Sequence, residues 1–390
     1  MKPRRSVALL VETSNAYARG LLTGAIEYIR GHEDWSIHLP ELQRTSAPPA
    51  WLAKWRGDGI LARIETEEMA NAISRKKIPT VDVSAARHVP NIPWVETDDR
   101  QIAQLAVEHL RERGFKNLAF VGEVGFNWSQ WREQHFEAFV HQRGCHYHSY
   151  QSSTQGIHLP SPTLEKRRLT HWLAQLPKPI GIMACYDIKA REVLDACREL
   201  DIAVPEQVAV IGADNDELLC NLSDPPLSSV IPNSRKAGFA AAELLNRMMS
   251  GEKVKNDAIL IEPIGIETRQ STDTLAIDDP EIAKALRFIR HHATSGINVS
   301  DLLREIPLSR RVLESRFQKR LGRTPHEEIV RQKMSKVSQL LAQTDLTLVE
   351  ISNRTGFEHA EYLSVAFKKL MGKTPKIYRK EHQAKRLGNR

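Results

Sequence analysis

The chain has 390 residues, which is enough for two or three domains with large buried cores. Hydrophobic residues make up 41% and charged residues 26%, so neither a mainly disordered chain nor a fibre fits the composition. No apolar run approaches the roughly 18 residues of a membrane-spanning helix, so no membrane partner is expected. The first apolar run, residues 7–11, is too short for the core of a signal peptide, which predicts a cytoplasmic protein.

Positive charge is concentrated in the last third of the chain. Residues 281–390 contain 23 Lys and Arg against 11 Asp and Glu, whereas the rest of the chain contains 32 against 37. A cationic C-terminal module next to an acidic larger part predicts a nucleic-acid partner for the module. A solvated basic surface without a partner is the alternative, because charge reports on association and not on fold.

Residues 6–272 alternate short apolar runs with segments of helical periodicity. The runs are residues 7–11, 59–62, 80–83, 117–121, 180–184 and 208–211. Strands that are apolar on both faces, each followed by a helix, predict parallel sheets covered by helices on both sides. Because about 270 residues exceed what one such sheet usually takes, two α/β lobes are expected.

Polar residues that follow these strands are the candidate ligand site, because open parallel sheets bind ligands beyond the carboxyl ends of their strands. They are Glu12, Asn15, Tyr17, Asp187, Asp214 and Asn215. Carboxylate and amide groups, with aromatic rings such as those of Trp128 and Trp131, suit a sugar. The alternative is that Asp187 and Asp214 only cap the helices that follow them.

No motif for catalysis or for a cofactor stands out. The turn after the first strand lacks the GxGxxG pattern of dinucleotide sites, and residues 372–374 lack the first glycine of a phosphate-binding loop. One local group of candidate metal ligands exists, where zinc sites usually need two spaced pairs, and a solvated loop is the preferred interpretation. This group is His141, Cys145, His146 and His148. We therefore expect no cofactor, no metal and no enzyme.

The effector domain of lac- and gal-repressor-type regulators is similar to this chain in residues 92–122, 129–139, 201–219 and 224–245. That domain has two lobes like those of periplasmic sugar-binding proteins. The resemblance implies that Arg132 and Asp214 bind a sugar, with Asp187 and the loop 12–17 completing the pocket. The chain departs from the family at Asn215, where a second Asp is frequent, and it lacks the N-terminal helix-turn-helix of such repressors.

A polar, proline-ended stretch predicts a linker at 273–280, between an effector domain at 1–272 and an all-α domain at 281–390. The second domain contains an internal repeat, residues 299–325 and 348–375, with an offset of 49 to 50 residues. Each copy predicts a helix, a tight break at Pro307 or Gly356, and a second helix, which Ser309 is placed to cap in the first copy.

Between the copies, the periodicity predicts one long helix over residues 326–343, roughly 27 Å in length. Successive major grooves on one face of DNA are about 34 Å apart. Two reading helices joined in this way can enter adjacent grooves, and we expect the duplex to bend toward the protein.

The repeated Phe and Thr-Pro positions and the ending KKLMGKTPKIYRK resemble the C-terminal DNA-binding domain of arabinose-regulator-type transcription factors. The resemblance implies that Arg311, Glu314 and Ser315 face the bases from the first reading helix, with Arg310 nearby. In the second reading helix it implies Ala360, Glu361 and Ser364, with His359 at the start of the helix. Glu314 and Glu361 either accept hydrogen bonds from cytosine or pair with neighbouring basic residues. Phosphate contacts are expected from Lys319, Arg323, Lys333, Lys368 and Lys373, and core positions for Phe317 and Phe367.

The predicted fold is thus an α/β two-lobed periplasmic-binding-protein-like domain followed by an all-α tandem helix-turn-helix domain. This order, with residues 9–28 and 213–229, resembles the family of bacterial xylose operon regulators. The resemblance implies a D-xylose-dependent activator of xylose catabolic genes that binds operator or promoter DNA as a homodimer, with RNA polymerase as a further partner. The residues themselves leave open another pentose or hexose as effector, and a sugar-processing enzyme with an accessory DNA module is the rival class.

Overall fold

The computed structural model describes residues 4–44, 46–152, 161–254, 258–273 and 276–388. The chain divides into two compact units, Met1–Ala276 and Ile277–Arg390. This division falls inside the predicted linker, while the domain boundaries themselves stay a prediction. Over the described ranges, no helix combines the length and apolarity needed to cross a membrane.

The first unit alternates strands and helices along its length. Its strands are β1 (Ser6–Leu10), β2 (Ser36–His38), β3 (Gly59–Ala62), β4 (Thr80–Asp82), β5 (Trp94–Thr97), β6 (Asn117–Glu123), β7 (His146–Ser152), β8 (Ile180–Ala184), β9 (Val208–Ala213), β10 (Ser228–Ile231), β11 (Ala258–Ile261) and β12 (Gly265–Glu267). Its helices are α1 (Ala16–His32), α2 (Glu67–Ser74), α3 (Asp99–Glu112), α4 (Asn127–Gln142), α5 (Pro162–Gln175), α6 (Asp187–Glu199), α7 (Glu217–Leu222) and α8 (Ser234–Met249).

These strands form two six-stranded sheets, one in each lobe. The first has the order β11-β5-β4-β3-β1-β2 and the second the order β12-β10-β9-β8-β6-β7. The pairs in the first sheet are parallel, and in the second only the edge strand β12 runs antiparallel to its neighbour. The predicted two-lobed α/β architecture is confirmed.

Both faces of the central strands of each sheet are buried, as the near-continuous apolar runs predict. In β1, Val7 and Leu9 pack with α1 and α8, while Ala8 and Leu10 pack with α2 on the other face. In β6, Leu118 and Phe120 face α3 and α4, and their neighbours face α5 and α6. The central strands are therefore covered by helices on both sides.

The chain passes between the lobes three times: after β5, after β10, and between β11 and β12. The helix α8 and the strand β11 consequently return to the first lobe, where α8 packs on α1. A Cβ atom on Gly238 would lie 1.9 Å from the carbonyl oxygen of Leu21, and one on Gly24 would lie 1.8 Å from that of Arg235. Glycine at these two positions lets the helices touch backbone to backbone.

The prediction of a loop around His146 and His148 is wrong. Both residues lie on β7, which pairs in parallel with β6 at the edge of the second sheet. The strand was missed because its sequence HYHSYQS is polar and largely exposed. Among the residues with described placement, no group of three or more His, Cys, Asp or Glu could hold a metal ion.

The second unit is all-helical. Its helices are α9 (Pro280–His292), α10 (Val299–Glu305), α11 (Arg310–Leu321), α12 (Pro325–Gln343), α13 (Leu348–Arg354), α14 (Ala360–Met371) and α15 (Pro375–Gly388). The helix α12 matches the long helix predicted at 326–343 and begins with a capping box between Thr324 and Glu327. Ser309 occupies the predicted N-cap position of α11, although its side chain makes no capping hydrogen bond.

The repeat is visible in the helix bounds. The helices α10 and α13 are offset by 49 residues, whereas α11 and α14 are offset by 50. The additional residue lies in the turn before α14, which explains the slip in register that the sequence shows. Both reading helices end at a left-handed glycine, Gly322 or Gly372, and bury the predicted core residues Phe317 and Phe367 completely.

Candidate effector cavity and nucleic-acid interface

A cavity that is partly open to solvent lies between the two lobes of the first unit. Four predicted site residues line it: Tyr17, Trp128, Arg132 and Asp214. Other polar residues in the lining were not predicted: Arg44, Arg63, Ser84, Glu96, Thr97 and Asp99. Most of the residues that line the cavity lie at or just after the carboxyl end of a strand, so the two sheets direct their carboxyl ends toward one space.

Asp214 follows β9 in a turn with an unusual backbone. Its φ is +105°, a region that few non-glycine residues occupy, and Asn215 follows with a φ of +48°. The helix that comes next is capped by Asp216, whose side chain accepts from the amides of Leu218 and Leu219. The residue that caps this helix is therefore Asp216 and not Asp214, and the carboxyl group of Asp214 lies at the cavity. Burial raises the pKa of Asp214 to about 6, against the opposing effect of Arg132 and two other arginines.

Asp187 lies behind the cavity and does not line it. Its carboxyl group accepts hydrogen bonds from the Ser229 hydroxyl, 2.6 Å away, and from the Asp216 amide, 2.8 Å away. The Ser229 hydroxyl also accepts from the amide of Asn215 at 3.0 Å. Asp187 therefore supports the turn that carries Asp214, and its predicted contact with a ligand stays untested. Burial raises the pKa of Asp187 to about 8, with Asp214 adding to the effect.

Glu12 and Asn15 do not line the main cavity; they hold Arg63 in place. Arg63 pairs with Glu12, and with Glu65 at 2.6 Å, all three being almost fully buried. Asn15 donates to Glu12 at 2.8 Å and also caps α1 through its side-chain oxygen. Burial alone would lower the pKa of Arg63, but the two carboxylates raise it above its ordinary value. Arg63 is thus held charged at the cavity wall.

Arg132 has an equivalent arrangement in the second lobe. It is 4% exposed and donates twice to one oxygen of Asp99, at 2.6 and 2.9 Å, and also to the backbone carbonyl of Cys185. Burial raises the pKa of Asp99, while Arg132 opposes that shift. The guanidinium group is therefore fixed in orientation where it meets the cavity.

Three buried polar atoms at or next to this site have no hydrogen-bond partner among the residues that the structure describes. They are Arg63 Nε, Trp128 Nε1 and Asn215 Oδ1. Buried polar atoms are nearly always hydrogen-bonded in native proteins, so unmet donors and acceptors beside a cavity indicate a polar ligand. Together with the rings of Tyr17 and Trp128, they suit a neutral molecule rich in hydroxyl groups.

The two lobes contact each other through arginines and aromatic rings. The guanidinium carbon of Arg44, from the first lobe, lies 5.2 Å from the ring centre of Phe126, 5.4 Å from Trp128 and 5.1 Å from Tyr186. Arg87 is similarly 4.3 Å from the Trp131 ring, and Trp131, unlike Trp128, does not line the cavity. These cation–π contacts join the lobes on either side of the cavity.

Arg63 was missed although the sequence carried its signal. It follows β3 directly, so the strand-end rule that singled out Asp214 would have found it. Asp99 stands just after β5, which was not among the predicted strands, so the rule could not have found Asp99. Arg44 had no such signal, because it lies in an irregular segment that follows β2 at a distance.

In the second unit, the helices α11 and α14 present outward faces of the same shape. The pattern of buried and exposed residues is identical over 311–320 and 361–370. Arg311, Ser315 and Glu361 are exposed, whereas Glu314, Ala360 and Ser364 are half-buried at the edges of these faces. His359 is exposed at the N-cap position of α14.

Glu314 pairs with Arg310 at 2.9 Å on the surface of α11. Of the two roles left open for Glu314, the structure shows the pairing with a neighbouring basic residue. Lys333 does not have the position expected of a phosphate contact, because its ammonium group donates to the Gly356 carbonyl at 2.7 Å and lies over the Phe357 ring. Lys319 and Lys368 are exposed on the reading helices, as a phosphate contact requires.

The chain matches three family models in sequence order. Residues 6–100 match the XylR N-terminal domain, residues 107–272 a periplasmic binding protein-like domain, and residues 302–381 a helix-turn-helix domain. It is 34% identical over 387 residues to the xylose operon regulatory protein of Escherichia coli (strain K12), covering 96% of this chain and 97% of that protein. The Haemophilus influenzae protein of the same name is 33% identical over 381 residues, with the same shares covered.

The chain belongs to the family of xylose operon regulatory proteins. A solved structure described as the xylose-binding transcription activator xylR superposes on this family member with a TM-score of 0.85 at 33% identity, covering 97% of this chain and 98% of the other. The complex of the transcriptional regulator CelR with cellobiose, at 19% identity and a TM-score of 0.57, shares the fold of the first unit.

As a xylose operon regulator family member, the chain is a sugar-responsive, DNA-binding transcription regulator. The prediction of a regulator is confirmed, and that of a sugar-processing enzyme with an accessory DNA module is set aside, because the full-length relatives are regulators. The predicted tandem helix-turn-helix domain coincides with the helix-turn-helix match at 302–381.

Proposed function

We propose that this regulator binds D-xylose in the cavity between its lobes and then activates xylose catabolic genes. The observation that carries the proposal is the set of unmet buried polar atoms, Arg63 Nε, Trp128 Nε1 and Asn215 Oδ1, beside a cavity that also exposes the Asp214 carboxyl group. A pentose offers hydroxyl groups that donate and accept, which is what such a mixed set requires. The names of the full-length relatives support xylose as the sugar and activation as the outcome.

Within this proposal, Asp214 and Arg132 hold sugar hydroxyls and the rings of Tyr17 and Trp128 cover the apolar face of the sugar. Arg63 and Asn215, which carry unmet buried polar atoms, are further ligand contacts. Asp187 positions the Asp214 turn, and Glu12 and Asn15 position Arg63.

The proposed DNA contacts are the outward residues of the two reading helices. The eight residues are Arg310, Arg311, Glu314, Ser315, His359, Ala360, Glu361 and Ser364. Arg311 has the strongest support, because an exposed guanidinium in the middle of a reading face can bind guanine in a bidentate manner, worth about 1–3 kcal/mol of discrimination. We further propose a homodimer on operator DNA, RNA polymerase as a partner in activation, and the cytoplasm as the site of action.

The sugar is tested by thermal unfolding of the full chain with D-xylose, L-arabinose, D-ribose and D-glucose. A ligand at a hundredfold excess over its Kd stabilises the folded state by about 2.7 kcal/mol, so D-xylose should raise the melting temperature and the other sugars should not. An equal rise with several sugars would contradict xylose specificity. No rise with any sugar would contradict the proposed function.

The site is tested with Asp214→Gly, which removes the carboxyl group without imposing strain at a φ of +105°. We expect this variant to lose the response to D-xylose while melting at a normal temperature without sugar. The matched control is Asp195→Ala, which removes a surface carboxylate paired with Arg198 on α6 of the same lobe. Retention of full D-xylose affinity by Asp214→Gly would assign the sugar to another site.

A further inference from the structure

The two reading helices carry different chemistry at equivalent places. Leu313 and Phe317 form the buried side of α11, and Leu363 and Phe367 form that of α14. At about 100° per residue, the position midway between each pair lies roughly 200° around the helix, at the centre of the outward face. Ser315 occupies it in α11 and Val365 in α14.

Val365 is 68% exposed, and Tyr362, one turn earlier on the same helix, is 60% exposed. The outward face of α14 is thus apolar at its centre, with Lys368 and Lys369 exposed beside it. On α11 the central position is the polar Ser315, and the position equivalent to Tyr362 is Val312, which is 38% exposed. The position equivalent to Arg311 is Glu361, so the two faces differ most clearly at their centres, where Ser315 can form hydrogen bonds and Val365 cannot.

Every base presents polar atoms in the major groove, whereas the C5-methyl group of thymine is the apolar feature there. The flanking lysines match the charge of the phosphates on either side of the groove. A face that is cationic at its edge and apolar at its centre therefore fits a thymine-containing step of duplex DNA.

We propose that Val365, assisted by Tyr362, is a specificity-determining residue that reads a thymine methyl group through α14, while α11 reads its part of the site by hydrogen bonds. This inference rests on the proposed function, because it requires a sequence-specific operator. It predicts an operator whose two segments are read by different means, one of them dependent on a single methyl group.

The test begins with selection of binding sites for the full-length protein from random-sequence duplexes in the presence of D-xylose. Each dT of the selected site is then replaced by deoxyuridine, which removes only the C5-methyl group, and Kd is measured by fluorescence anisotropy. One replacement should weaken binding about fourfold, the value expected for one buried methyl group. Val365→Ser should bind the dT and dU duplexes equally well.

The matched control is Val349→Ser, which changes a valine that is 60% exposed on α13, outside the reading helices. It should keep the fourfold ratio between the dT and dU duplexes. Ser315→Val, the converse change, should create a new sensitivity to a methyl group in the segment read by α11 if that segment contains a facing thymine.

The outcomes separate the two proposals. A selection that enriches no sequence would contradict the proposed function, and this inference with it. An enriched site that wild-type protein binds equally well after every dT-to-dU replacement would overturn the inference alone. A ratio that persists in Val365→Ser would likewise overturn it, because the methyl group would then be read by another residue.

Discussion

Arg63 and Arg132 bring positive charge into a buried cavity, and each is neutralised within its own lobe. Arg63 pairs with Glu12 and Glu65, and Arg132 pairs with Asp99. An isolated buried charge costs several kcal/mol, so a pair that spanned the cleft would resist its opening. Because both pairs stay within a lobe, opening the cleft leaves neither arginine unpaired, whereas it separates Arg19 from Asp216, which pair between the lobes at 3.3 Å.

The pH dependence of stability tests the environment of Asp187. Its pKa is raised by burial from 3.8 to about 8, so the proton stays bound in the folded state over a range where the unfolded chain has lost it. The stabilisation from this group is therefore complete below about pH 4 and is lost as the pH rises through 8. The other groups near it are Asp214, Asp216 and Cys220.

We expect the free energy of unfolding of the wild type, relative to Asp187→Asn, to fall as the pH rises from 5 to 8. Asparagine carries no titrating proton, and one proton changes stability by at most about 1.4 kcal/mol per pH unit. Urea unfolding at several pH values measures this difference. A difference that is constant over the range would show that Asp187 is ionised throughout.

At the scale of elements, apolar runs predict strands correctly where both faces of the strand are buried. All six apolar runs are strands, and the run 180–184 matches β8 at both ends. The edge strands β2, β7, β11 and β12 were not predicted, and neither were the inner strands β5 and β10. Polar residues interrupt the apolar pattern in several of them, as in β7 (HYHSYQS), β5 (WVET) and β10 (SSVI). Hydrophobic periodicity reports burial, so it cannot identify a strand held mainly by backbone hydrogen bonds.

The turn of the second helix-turn-helix depends on Gly356. Its φ is +67°, and a Cβ atom there would lie 2.8 Å from both the Gly296 amide nitrogen and the Thr294 carbonyl oxygen. Gly356→Ala should therefore suffer both backbone strain and a clash that backbone atoms cannot relieve. Gly372 is the matched control, since its φ is +71° and nothing lies within 4 Å of its Cβ position.

We expect Gly372→Ala to lose about 1–2 kcal/mol, the cost of a left-handed alanine, and Gly356→Ala to lose clearly more. Denaturant unfolding followed by circular dichroism measures both variants. Equal losses would mean that the segment at residues 294–296 moves away at no cost.

At the scale of the whole molecule, residues distant in sequence form the cavity, which limits what a single sequence can predict. The strand-end rule and the family resemblance identified Asp214 and Arg132 as candidates. Neither could identify Arg44, because its contacts with Phe126, Trp128 and Tyr186 form only when the lobes meet. Periodicity likewise could not show that Asp187 faces Ser229 and not the cavity.

Sugar and DNA should affect each other's binding equally. Effector coupling is typically worth about 1–3 kcal/mol, so saturating D-xylose should lower the Kd for the selected operator by about 5- to 150-fold. The operator should tighten D-xylose binding by the same factor, measured by calorimetry on the protein–DNA complex. Asp214→Gly should show neither effect, and opposite signs in the two experiments would exclude a coupling of this kind.

The backbone contact of α1 with α8 constrains how the protein is made. Ribosomes deliver the chain from its N-terminus, yet the first lobe needs Gly238 against Leu21 and β11 against β5. Most of the second lobe, residues 99–231, emerges as one uninterrupted segment and can assemble while translation continues. The lobe that is synthesised first therefore stays incomplete while most of the second lobe is made, and until residue 261 has left the ribosome its apolar sheet face must remain uncovered or be guarded by a chaperone; only the edge strand β12 of the second lobe follows.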